Sequence, residues 1–109
     1  MLQEVVNCHD MEWQPAKSYP AGTMSKVLRD DHGHKTILLK IPPKFQMPAH
    51  SHNSLEQHYI LEGSYEIDGQ EYGEGTYQLI PPGFSHGPFF SQNGATLLVI
   101  WDPIGEEFK

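Results

Sequence analysis

The residues in this chain able to do chemistry are a small set of histidines and one glutamate. His50-Ser51-His52 carries two imidazoles at i and i+2, which on an extended strand project to one face. Glu56 follows after three residues, and His86 arrives behind the Pro81-Pro82-Gly83 turn. Three imidazole nitrogens and one carboxylate oxygen suit Fe(II), Mn(II), Ni(II), Cu(II) or Zn(II), with one or two positions left for water or substrate. His58 lies two residues beyond Glu56, so on a strand it shares that face. It is expected beside the metal, orienting a ligand, moving a proton as a general acid or base, or serving as a fifth donor. His32 and His34 form a second pair of this spacing, but Asp30-Asp31-His32-Gly33 reads as a hairpin tip, where imidazoles are solvated. That pair, Cys8 and His9 are expected to be structural. Cys8 is the only cysteine, so neither an internal disulfide nor a cysteine-based zinc cage can form.

Such a site needs strands to hold it. Lys35 to Pro42, Glu56 to Ile67, Thr76 to Pro81 and Ala95 to Asp102 are rich in β-branched, aromatic and aliphatic residues with partial alternation. Lys26 to Asp30, Phe45 to His52, Gln70 to Tyr72 and His86 to Ser91 are weaker candidates. Between them stand turn signals such as Asp31-His32-Gly33, Asp68-Gly69, Gly73-Glu74-Gly75 and Asn93-Gly94. No apolar helical period runs through three turns, and 9 prolines with 10 glycines would interrupt one. The expectation is an all-β sandwich or barrel in one domain. Residues 1–24 read as a leading arm, able to add a strand to a partner's sheet edge, and 25–109 as the barrel.

The 109 residues leave room for one small core. Seven Lys and Arg against 14 Asp and Glu give a formal net charge of −7, with Arg29 the single arginine, which argues against nucleic acid and anionic membrane surfaces as partners. One arginine and six lysines show no cluster in sequence that would clamp a phosphate. No apolar run approaches a membrane span and the first residues lack a secretory pattern, so a cytoplasmic protein is expected. Met47, Ile60, Tyr65, Tyr77, Phe84, Phe90, Ile100 and Trp101, with Phe89 beside them, supply more apolar surface than one barrel layer needs. They are the expected lining of a pocket for a small, largely apolar ligand, or of a homodimer interface.

The histidine-glutamate spacing, continued by Gly63 and followed by Gly75, Pro81, Gly83 and His86, resembles the two motifs of the cupin superfamily. Lys44 stands where the first motif usually opens with glycine, and Phe90 where the second often closes with asparagine; neither position is a ligand in that family. The stretches LLKIPPKFQMPAHSH, ILEGSYEI, GTYQLIPPGFSH and LLVIWDP resemble the zinc-binding cupin domain of certain anti-sigma factors, and also small diketone-cleaving oxygenases. The resemblance implies a double-stranded β-helix whose mouth holds one divalent metal through His50, His52, Glu56 and His86. A dioxygenase-like enzyme acting on a small oxygen-containing molecule is the first expectation. The alternatives are a non-redox Zn or Mn lyase, isomerase or cyclase, and a non-catalytic sensor or binding module.

Overall fold

Two-residue turns with positive φ at both central positions match the right-handed twist of paired strands, and this chain uses them twice. His32 and Gly33 (φ 49° and 81°) join β2 (Met24–Asp31) to β3 (His34–Ile41). Asp68 and Gly69 (φ 50° and 80°) join β6 (Tyr65–Ile67) to β7 (Gln70–Tyr72). The remaining strands are β1 (Gln14–Pro15), β4 (Phe45–Met47), β5 (Leu55–Gly63), β8 (Tyr77–Ile80), β9 (Phe89–Ser91) and β10 (Ala95–Asp102). The structure is a computed structural model and describes residues 2–103, so the stretch 104–109 of the expected barrel lies outside the described residues.

The strands form two antiparallel sheets, one of six in the order β1-β2-β3-β10-β5-β8 and one of four in the order β4-β9-β6-β7. This is the all-β double-stranded β-helix expected from the sequence. Its core lies where alternation on β3, β5 and β10 turns Ile37, Leu39, Ile60, Leu97 and Val99 inward against Phe45, Tyr65 and Phe89 of the other sheet. Ile60 and Val99 are fully buried, and each such side chain contributes on the order of 1.5–3 kcal/mol through loss of apolar surface from water.

The sequence overextends three strands. The run Glu56 to Ile67 is two strands in different sheets, because Gly63 (φ 78°) turns the corner where an added Cβ would meet Gly94 O at 2.4 Å. β4 stops at Met47 before Pro48, and β9 starts at Phe89 after Pro88; proline has no N–H to offer the ladder. His52 therefore does not sit on a strand, and His50 and His86 meet only in an isolated bridge. The arm adds a strand, but to its own chain: β1 pairs with β2, Gln14 opposite Ser25. Ala16 and Tyr19 pack on the core, and Trp13 lies against the ammonium groups of Lys26 and Lys40. Leu2, Val5 and Val6 stay exposed. No helix among the described residues is long and apolar enough to cross a membrane.

Candidate metal centre

Backbone hydrogen bonds bring the two histidine segments together. His50 N donates to His86 O at 3.0 Å, His86 N donates to His50 O at 2.8 Å, and Gly83 N donates to His52 O at 2.6 Å. The imidazoles of His50, His52 and His86 consequently converge, with one ring nitrogen from each within 4.8 Å of the others. The chain need not be a regular strand to achieve this; one bridge and one turn contact suffice.

Each ring is set up differently. His50 Nδ1 faces Pro48 O at 3.2 Å, and donating there leaves Nε2 as a lone-pair donor, the carbonyl-to-imidazole pattern that orients metal ligands. His86 is 4% exposed and neither of its ring nitrogens has a hydrogen-bond partner among the described residues. Burial pulls its pKa down to about 4; Glu56 opposes that fall, while His50, His58 and His52 add to it. A buried neutral imidazole with an unpartnered nitrogen is costly unless something accepts its lone pair. A cation at the convergence of the three rings would do so, and the residues present fit one.

Glu56 touches this cluster from the side. Its Oε1 lies 2.9 Å from His52 Nε2 and accepts from the Trp101 indole at 2.7 Å; its Oε2 lies 2.5 Å from His58 Nε2. Two donors bound at about 2.1 Å and roughly at right angles sit about 3 Å apart, so the Glu56–His52 spacing suits a shared ion as well as a hydrogen bond. Burial works to raise the Glu56 pKa, but the His58 hydrogen bond and the charges of His58, His86 and His52 outweigh it and hold the carboxyl below its ordinary range.

His58 is buried, as strand alternation requires for a residue between Glu56 and Ile60 on β5. Its Nδ1 lies 3.2 Å from the Tyr65 hydroxyl, which donates to Gln78 Oε1 at 2.8 Å. Glu56, His58, Tyr65 and Gln78 thus form one hydrogen-bonded chain. Burial and the nearby Glu56 push the Tyr65 phenol up, out of reach of ionisation near neutrality. Gln78 and Tyr19 were not singled out in the sequence, because nothing local marks them: Gln78 reaches the site through the β5–β8 ladder, opposite His58, and Tyr19 through the fold-back of the arm.

At the cluster the chain leaves a space of about 20 Å³, room for an ion or one water, lined in part by Tyr19, Met47, Tyr65 and Phe89. This space continues past His50, Met47 and Tyr19 into an open groove of about 800 Å³ between the arm and the inner face of β2, β3 and β10. Of the expected pocket residues, Met47, Tyr65, Phe89 and Trp101 line these spaces. Ile60, Tyr77, Phe84, Phe90 and Ile100 do not. Ile60 is solid core, and Tyr77 lies on the outer face, 54% exposed, bonding Gln57. Phe84 is 61% exposed, Phe90 borders a separate surface hollow, and Ile100 has the opposite alternation to Val99 and Trp101 on β10. Composition names apolar residues without naming their face. His32 is an exposed turn residue and His34 pairs with Asp102 at 2.7 Å. Cys8 and His9 lie in a short 3-10 turn whose Cys8 carbonyl accepts from Lys26 Nζ.

The family profile of the ChrR cupin-like domain matches residues 2–104. No curated protein matches the chain. The acetylacetone dioxygenase of Acinetobacter johnsonii superposes with a TM-score of 0.80 at 16% identity, covering 100% of this chain and 83% of that one. The polyketide cyclase RemF of Streptomyces resistomycificus gives 0.77 at 23% identity, with 92% and 79% covered. A chain of the Rhodobacter sphaeroides complex of SigE with the anti-sigma ChrR gives 0.70 at 22% identity; 88% of this chain is covered, and it spans about half (52%) of that one. At these identities the likeness establishes the fold.

Proposed function

Because the chain belongs to the ChrR cupin-like domain family, we propose that it is a metal-dependent, dioxygenase-like enzyme acting on a small, largely apolar molecule that carries oxygen donors. His50, His52 and His86 hold one divalent transition metal, and Glu56 completes the set. The observation carrying this reading is the buried His86 imidazole, whose two nitrogens lack partners among the described residues while it faces His50 and His52. A divalent metal held there supplies Lewis acidity toward a substrate oxygen and, as iron, a redox partner for O2. The chain's own residues do the remainder. Pro48 O fixes the His50 tautomer, Trp101 and His58 orient the Glu56 carboxylate, and Met47, Tyr19 and Phe89 keep the space at the cluster small and apolar.

His58 stands between a carboxylate and a phenol, placed to hold or release a proton beside the substrate. That arrangement favours a second reading in which the same site runs non-redox proton chemistry, as in a lyase, isomerase or cyclase. The test begins with metal analysis of protein reconstituted in turn with Fe(II), Zn(II) and Mn(II). About one equivalent is expected in the wild type, loss in His50→Ala and His86→Ala, and retention in a variant with His32→Ala and His34→Ala. O2 uptake by the iron form with small β-diketones or catechols is expected for the first reading. Turnover under anaerobic conditions with the zinc or manganese form would replace it with the second.

A further inference from the structure

In a chain with 14 acidic residues, the described residues lining the groove that leads to the three histidines include no Asp or Glu, yet they include Lys17 from the arm and Lys35 from β3. Neither ammonium has a carboxylate within 4.0 Å among the described residues. The sequence shows no basic cluster because these two lysines are 18 positions apart; the fold-back of the arm puts them in one groove.

Lys35 is also in register with the site. It is the cross-strand partner of Trp101 on β10, and Trp101 is the partner of Glu56 on β5, so the three form a row across neighbouring strands. Two strand spacings separate Lys35 from Glu56, roughly 10 Å. The Lys35 ammonium lies 5.9 Å from the Trp101 ring, whose indole N–H reaches Glu56. Val27, Ile37 and Met47 give the surface between the basic end and the histidines an apolar character.

Resting on the metal-site reading above, we infer that the substrate is an amphipathic anion: a small molecule with oxygen donors at one end for the three-histidine centre and a carboxylate at the other for Lys35, about 10 Å from Glu56 across the sheet, and for Lys17 in the same groove. The apolar middle lies along Trp101, Ile37 and Val27. The described lining serves the same end: Asp30, the cross-strand partner of Lys35 on β2, is not part of it, and an acid there would repel such a ligand.

The test compares two probes of the same shape with metal-loaded full-length protein, by calorimetry at low salt. These are 4,6-dioxoheptanoate, a β-diketone with a distal carboxylate, and heptane-2,4-dione, which lacks it. The wild type is expected to bind the anion about tenfold more tightly, the size of two solvent-facing charge pairs. Lys17→Gln with Lys35→Gln is expected to erase the preference while leaving heptane-2,4-dione affinity unchanged, and 0.5 M salt to do the same. Equal binding of the two probes by the wild type, or a preference that survives both substitutions, overturns the inference and leaves the metal reading standing. Hexanoate against hexanamide on chelated protein separates the opposite failure. If neither diketone binds but hexanoate is retained only when Lys17 and Lys35 are present, the anion site stands and the metal reading falls.

Discussion

Trp101 and Glu56 are cross-strand partners on β10 and β5, and the Trp101 indole N–H donates to Glu56 Oε1 at 2.7 Å inside the barrel mouth. Glu56 is 2% exposed, so this donor answers a carboxylate oxygen that water cannot reach. Trp101→Phe keeps most of the ring and removes only that donor. The expected cost is about 1–3 kcal/mol for an under-satisfied buried oxygen. In a domain of this size each kcal/mol lowers the melting temperature by roughly 4–8 °C. Thermal unfolding of metal-free wild type and variant measures it, and equal midpoints would mean that His52 and His58 alone satisfy the carboxylate.

The metal-free protein should lose stability as pH falls from neutrality. The His86 pKa is about 4 in the fold, pulled down first by burial, against 6.5 ordinarily. Between those values the unfolded chain takes up a proton that the folded chain refuses, so acidification favours unfolding. Glu56 pushes the same way. Its pKa is held below the ordinary range by His58, His86 and His52 against the effect of burial, so the stability it contributes is present above that range and lost as pH falls through its folded value. Melting temperatures measured between pH 7 and 4.5 should decline, and His86→Gln should flatten the upper part of the decline. A wild-type profile level across that range would contradict the burial argument.

Gly63 has a geometric role that can be measured separately from the site. With φ at 78° and an added Cβ facing Gly94 O at 2.4 Å and Ala95 Cα at 2.8 Å, Gly63→Ala meets both backbone strain and a rigid backbone neighbour. The strain alone costs about 1–2 kcal/mol, and the clash must be relieved by moving β10. Gly83, at φ 75°, has open space where a Cβ would go, so Gly83→Ala should show the strain without the clash. Urea unfolding of the two variants should place Gly63→Ala clearly lower. Similar midpoints would show that β10 yields easily at this corner.

What the sequence revealed and what it hid follow from the same physics. Strand alternation turned Glu56 and His58 to the same inward face, because β5 is flanked by β10 and β8 and its inner face is dry. The three histidines were legible by residue type and spacing even though their expected strand is a loop and a bridge. Tyr77, Phe84 and Ile100 misled because aromatic and aliphatic character carries no direction; each lies on the outer face or at an exposed turn. Tyr19, Lys17 and Lys35 were hidden for the opposite reason, since their neighbourhood exists only once the arm has paired with β2.

His58 gives the sharpest separation between a structural and a chemical role for the Glu56–His58–Tyr65–Gln78 chain. It borders the space at the cluster and lies outside the three histidines that converge there, so if its role is chemical and holding Glu56 is secondary, His58→Ala should leave metal stoichiometry near that of the wild type. If His58 moves a proton in the reaction, kcat should fall by about 10² to 10⁴, and one limb of the pH–rate profile should disappear with it. Tyr65→Phe removes the hydroxyl facing His58 Nδ1 while sparing the imidazole, so it should displace that limb without abolishing it. A residue that only orients Glu56 behaves differently: its loss would weaken metal retention and depress the rate at every pH by the same factor. The shape of the profile, more than the size of the loss, decides between the two roles.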